Sequence, residues 1–155
     1  MKINKLAIIT ISVVLILIIL QLIIVKHDNP EIKTVPDWDS DYTKETFYAI
    51  CADCHSNETR WQWYSHIPPF SLIIHRDVNE GRKHFNISEY VREDGIKSAY
   101  EFNKGEMPLW IYTIIHSHPA LSEPEKTKFF SGLEATFGKY EKSKIDKNIY
   151  NHPED

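Results

Sequence analysis

Two cysteines stand in 155 residues. That is too few for a multi-disulfide scaffold, and too few for a four-cysteine zinc or iron–sulfur site in one chain. Glycine is scarce as well, at five residues, and no G-x-G-x-x-G, P-loop or G-x-S-x-G pattern occurs. These absences exclude the common nucleotide-cradling loops and the nucleophile elbow of an α/β-hydrolase. Basic residues number 18 against 22 acidic ones and form no cluster, so nucleic acid finds no electrostatic footprint. Methionine occurs only at position 1 and at position 107. Strand-like alternation is missing too, and helical periodicity is the organising signal that remains.

What is present in excess is apolar sequence at one end. Residues 6–25 carry no charge and are interrupted only by Thr10, Ser12 and Gln21. Lys2 and Lys5 precede the block, and Lys26, His27 and Asp28 follow it. Twenty such residues would span about 30 Å as a helix, the thickness of a bilayer core. The expectation is a single uncleaved transmembrane anchor over residues 1–25, with the amino end in the cytoplasm and the rest in the periplasm or outside. A cleaved signal peptide would have a shorter apolar region, about 7–15 residues, ending in small side chains. Gln21 to Val25 offers none.

Residues 26–40 hold Pro30 and Pro36 and no helical period, and read as an extended linker. A helix is expected at about 41–51. Another is expected at about 69–80, striped by Phe70, Ile73, Ile74 and Val78 and ended by Gly81. A third, at about 95–104, would be capped by Asp94 and stopped at Gly105. Ser122-Glu123-Pro124-Glu125 has the pattern of a capping box. It opens a helix carrying Phe129, Phe130, Leu133 and Phe137 and closing at Gly138. The fold class expected is all-α: a small helical domain over 41–138, behind the anchor and before a polar tail at 139–155.

Cys51-Ala52-Asp53-Cys54-His55 makes that domain one expected to fold around a single haem, like cytochrome c. C-x-x-C-H is the attachment signature of haem c. Two thiols three residues apart on one helical turn can meet two vinyl groups of one porphyrin as thioethers. The next histidine can bring a ring nitrogen under the iron as proximal ligand. Three other readings of the pair are a disulfide, a thioredoxin-like redox pair and a zinc site. A thioredoxin pair wants a βαβ context, which is missing. Zinc would need two distant ligands besides these. Trp61, Trp63, Tyr64, Phe70, Trp110 and Tyr112 read as walls for a haem or, equally, as ordinary core aromatics.

With those residues in view, the chain resembles the membrane-anchored haem-binding domain proteins of the c-type cytochrome kind, typical of Bacteroidetes-like bacteria. The likeness runs from about Phe47 to Phe137. It rests on the pentad followed by Ser56-Asn57, on Trp63-Tyr64 with Pro69, and on Gly81-Arg82-Lys83-His84-Phe85-Asn86 with Ser88. It continues in Gly105-Glu106-Met107-Pro108 with Tyr112, and in His118-Pro119-Ala120-Leu121-Ser122. The resemblance implies haem binding and electron transfer.

One histidine leaves the sixth position of the iron to be filled. Met107 is the leading choice: Pro108 holds it extended, on a turn after a helix. His84, within the motif the family shares, is the rival. It, Arg82 and Lys83 could instead donate to a haem propionate. His75 is weaker because it falls toward the polar side of its helix. His27, His66, His116, His118 and His152 read as surface or capping residues.

The sequence thus points to a membrane-tethered single-haem carrier with Cys51, Cys54, His55, Met107, His84, Trp63 and Tyr64 at the site, iron held by His55 and Met107, and redox proteins as partners. The reading favours an electron carrier over an enzyme. The alternatives are a haem enzyme or a sensor of peroxide or diatomic gas, with an open or displaceable sixth position, and a thiol-redox module without haem.

Overall fold

The computed structural model describes residues 4–115 and 121–141. The calls on His116, His118 to Ala120, His152 and most of the tail lie outside the described residues. Within them the fold is all-helical, with one isolated parallel bridge between Thr34 and Glu89.

The first helix, α1 (Lys5–Leu20), corrects the anchor expectation. Its N-terminus is capped by Asn4, whose side chain accepts from the Ala7 amide. It stops after 16 residues, about 24 Å of rise against the roughly 30 Å a bilayer core requires. Gln21 is where it ends: its side-chain Nε2 donates both to the Leu17 carbonyl and to the Pro68 carbonyl, each at 3.2 Å. The β-branched run Ile23-Ile24-Val25 then leaves the helix. Among the described residues no helix is long and apolar enough to cross a membrane. The single-pass reading is overturned, and the periplasmic placement that rested on it falls with it.

Residues 26–40 run extended and are pinned along their length. The His27 ring meets the Ser65 carbonyl at 2.7 Å, and Asn29 donates to the Thr59 carbonyl. Asn57 donates to the Glu31 carbonyl, and the Lys33 and Thr34 amides donate to the Ser88 carbonyl. The stretch is a strap on the domain, and its length is not free for reach.

Then follow α2 (Asp41–Ile50), the single turn α3 (Ala52–His55), a 3-10 turn (Trp63–His66) and α4 (Phe70–His84). Short helices α5 (Arg92–Gly95), α6 (Ser98–Asn103) and α7 (Trp110–Ile115) lead to α8 (Glu123–Phe137). Ser40 caps α2, accepting from the Thr43 amide. At α8 the capping box forms, Ser122 and Glu125 each receiving the other's backbone amide.

The expected helix at 95–104 is two pieces. Gly95 packs its backbone so close to the Phe85 and Phe137 rings that a Cβ would lie 3.0 Å from each. α5 ends at Gly95 and the chain restarts as α6 at Ser98, so Asp94 lies inside α5 rather than capping a longer helix.

The core is aromatic. Phe47, Phe85 and Phe137 form a triangle with ring centroids 5.0–6.0 Å apart, a range that suits edge-to-face contact. Ile87, Ala99, Phe129 and Leu133 complete it. This core joins α2 and α8 to the chain just after α4, and so fixes the junction of α2 with α3.

Candidate functional site

That junction is the C-x-x-C-H pentad. Cys51 ends α2, its amide donating to the Phe47 carbonyl at 2.8 Å. Its own carbonyl accepts from the amides of Cys54 and His55, both at 3.1 Å, which closes the single turn of α3. Both thiols are free, which leaves the disulfide reading without support. Burial, and for Cys51 the neighbouring Cys54, raises both thiol pKa values, that of Cys54 to about 12. Each stays protonated near neutrality.

His55 is oriented by the Phe85 carbonyl. Its Nδ1 lies 2.9 Å from the Phe85 carbonyl oxygen. A carbonyl can only accept, so Nδ1 carries the hydrogen and Nε2 carries the lone pair. Burial favours the neutral ring, against the pull of the Phe85 and Gly81 carbonyls and with the help of the His84 charge. A neutral imidazole whose other nitrogen donates to a carbonyl is the form that ligates a metal.

Two loops hold this turn from outside the helix. The His55 carbonyl accepts from the Ile87 amide, and the Asn57 amide donates to Ser88 Oγ, both at 2.9 Å. The Asn86 side chain bridges them, donating to Asn57 Oδ1 at 2.8 Å and accepting from the Ser88 amide at 2.9 Å. The Ser56-Asn57 and Asn86-Ser88 motifs are thus one interlocked unit.

From the third side comes α4. It runs through Gly81 to His84 instead of stopping at Glu80 as the sequence led us to expect. A Cβ at Gly81 would sit 2.5 Å from the Cys54 carbonyl oxygen and 3.1 Å from its Cβ. The glycine is there for helix–helix approach and not as a stop signal. His84, expected in a loop, is exposed on the last turn of α4.

Arg82 and Lys83 do not wait for an outside anion. Arg82 donates to the carbonyls of Ser56 and Asp28, to Asn29 Oδ1 and to Thr59 Oγ1, at 2.8–3.1 Å. Lys83 pairs with Glu80 at 2.8 Å. His75 is half-buried rather than on a polar face, and its Nε2 lies 2.9 Å from Asn79 Nδ2.

Sequence reasoning missed Asp53. Its carboxylate is buried and receives Arg60 through the amide, Nε and Nη2 at 2.9–3.0 Å. The Tyr112 hydroxyl donates to it at 2.8 Å, which ties α7 to α3. Burial alone would raise the Asp53 pKa, but the bonds from Arg60 and Tyr112 outweigh it and hold the carboxyl below its ordinary value. Tyr112, read as a haem wall or a core aromatic, is bound into this network through its hydroxyl, and burial beside Asp53 raises its own pKa. The only signal was an acidic residue inside the pentad with an arginine seven positions on.

Of the expected site residues, Cys51 at the end of α2 comes together with Cys54 and His55 on α3, and the charge of His84 acts on His55. Trp63 is 74% exposed and stacks edge-on with the half-buried Tyr64 at 5.7 Å, on the 3-10 turn that packs against α4. Met107, on the turn between α6 and α7, is 37% exposed and outside the core. Its amide lies 3.4 Å from the Glu101 carbonyl. Among the described residues no group of three or more His, Cys, Asp and Glu side chains is placed to hold a metal ion.

The donor set fits a haem: two free thiols on one turn and an imidazole with its lone pair at Nε2. No curated protein and no solved structure matches the chain. The haem-binding domain family does match, over residues 15–135. That span takes in the pentad, both interlocked loops, α4 and most of α8, and the chain belongs to the haem-binding domain family.

Proposed function

We propose that the protein carries one covalently attached haem c and uses it to pass single electrons between protein partners. Cys51 and Cys54 would form the thioethers and His55 would be the proximal ligand through Nε2. The observation that carries the reading is His55 Nδ1 donating to the Phe85 carbonyl. It fixes the tautomer and the ring orientation before any ligand arrives. The bound group would supply a one-electron iron couple.

This chain's residues do the rest. The Cys51 carbonyl keeps both thiols on one turn, and Gly81 lets α4 close over Cys54. Attachment would add each S–H across one vinyl group, sulfur bonding to one carbon and the hydrogen going to the other. Such an addition needs no oxidant. Met107 would supply the distal thioether. Trp63 and Tyr64 offer apolar surface beside α4.

The test is haem staining of the denatured protein after expression with a haem c maturation system. Staining that survives denaturation, and disappears in Cys51→Ala/Cys54→Ala, supports covalent attachment. Its absence from the wild type overturns the reading. A second reading, a haem site open at the sixth position for peroxide or a diatomic gas, draws on the exposure of Met107. Carbon monoxide binding by the untreated ferrous protein would favour it.

A further inference from the structure

Away from the pentad, a second histidine repeats the His55 arrangement with its ring nitrogens exchanged. His27, on the strap, places Nε2 2.7 Å from the Ser65 carbonyl oxygen. That oxygen can only accept, so in the neutral ring Nε2 carries the hydrogen and Nδ1 the lone pair. A backbone carbonyl on one ring nitrogen is the support that orients a metal-ligating imidazole. The haem reading makes no use of this ring.

Another imidazole stands beside it. His66 ends the 3-10 turn, and its ring centroid lies 4.2 Å from that of His27, with the planes at 47°. The two rings are tilted rather than stacked face to face. A nitrogen–metal bond of about 2.0–2.1 Å puts an ion roughly 3.2 Å from the ring centre. Two imidazoles on adjacent corners of a square then have centres about 4.5 Å apart, against about 5.2 Å on a tetrahedron. The observed 4.2 Å lies nearer the square.

The surroundings hold His27 in place. Trp61 meets its ring edge-on at 4.6 Å and donates through Nε1 to Asn29 Oδ1 at 3.2 Å. Asn29 in turn donates to the Thr59 carbonyl at 3.0 Å. His27 is half-buried and His66 is exposed, so an ion can reach the pair from solvent. Lys26 adjoins His27 in sequence, and Asp28 pairs with it at 2.8 Å, which offsets its repulsion of a second cation.

We infer that His27 and His66 form a two-histidine site for a divalent ion of the nickel and copper class, which clips the strap to the 3-10 turn. Imidazole suits both ions, and both take square or tetragonal arrangements. Water fills the remaining positions. An ion held by the docked pair and not by a released strap shifts the equilibrium toward the docked form. The site is separate from the haem, and neither reading depends on the other.

The experiment is calorimetric titration of Ni²⁺ alone into the untagged full-length protein at pH 7.5. It compares wild type with His66→Gln, His27→Gln and, as control, His152→Gln. Wild type should take one ion per chain with a micromolar dissociation constant. His66→Gln and His27→Gln should each weaken binding tenfold or more, and His152→Gln should not change it. His66→Gln is the decisive variant, because an exposed ring can be lost without cost to the fold, and circular dichroism of the metal-free variant checks this. Saturating Ni²⁺ should also slow trypsin cleavage after Lys26 at least threefold in wild type and not in His66→Gln. Undiminished binding in a folded His66→Gln protein overturns the inference, as does a millimolar dissociation constant in wild type. Binding that leaves cleavage after Lys26 unslowed overturns the clip.

Discussion

Gly81 and Cys54 meet backbone to backbone. The position a Gly81 Cβ would take is 2.5 Å from the Cys54 carbonyl oxygen, and that oxygen belongs to rigid main chain rather than to a side chain that could swing away. The turn that bears the thiols and the helix that covers it are therefore set at a distance only glycine permits. The contact links the pentad to α4 and, through Arg82, to the strap at Asp28.

Gly81→Ala should consequently separate α3 from α4. Overpacking of this kind costs about 1–3 kcal/mol. We expect a lower melting temperature and less covalent haem per protein, read by absorbance after denaturation. Gly105→Ala is the contrast, since nothing lies within 4 Å of a Cβ there. Its positive φ of 72° adds local strain to the turn that carries Met107, but the α3–α4 contact and both cysteines are unaltered, so its covalent haem content should match wild type.

The Asp53 network makes a prediction in pH. Its folded pKa lies below the ordinary 3.8, through Arg60 and Tyr112 and against burial. A depressed carboxylate stabilises the fold above its unfolded pKa and loses that contribution as pH falls through the folded value. Wild-type stability should therefore drop below about pH 4, and Asp53→Asn should flatten that part of the profile while lowering stability at pH 7. Arg60→Gln leaves Asp53 buried with fewer donors, at a cost of about 1.5–3 kcal/mol. Denaturant midpoints across pH 3–7 measure both. Equal acid slopes in wild type and Asp53→Asn would contradict the assignment.

What the sequence made legible was local. The pentad reads in five consecutive residues, and the Ser122–Glu125 box reads in four, because their partners are their neighbours. What stayed hidden depended on distant partners. The end of α1 is tied to the Pro68 carbonyl, 47 residues from Gln21. A run of apolar side chains therefore looked long enough for a membrane when the helix was not. Gly81 looked like a stop because its reason, the Cys54 backbone, is remote in sequence. Asp53 passed as a spacer inside the pentad, since Tyr112 is 59 positions on. Asn57, Asn86 and Ser88 were visible as shared motif residues, but their interlocking could not be read without the loops.

His55→Ala separates attachment from ligation. The cysteines are untouched, so covalent staining should persist at reduced yield. The ferric spectrum should lose its low-spin form. If His55→Ala keeps a low-spin spectrum, another residue is the proximal ligand and the role given to the Phe85 carbonyl fails with it.

Met107→Ala tests the distal position. A thioether favours ferrous iron more than an imidazole does, so a histidine–methionine pair gives a higher potential than two histidines. Removing Met107 should abolish the weak far-red sulfur-to-iron band of the ferric protein. It should lower the potential and let ferrous iron bind carbon monoxide. Covalent haem should stay near wild type, because α3 is unaltered. His84 offers the contrasting substitution. It is exposed on the last turn of α4, and its charge acts on His55 from there. His84→Ala should leave the far-red band intact. If instead His84→Ala changes the low-spin spectrum and Met107→Ala does not, the distal ligand is His84. The carrier would then work at the lower potential of two imidazoles, and Met107 would be left as an exposed side chain on the α6–α7 turn.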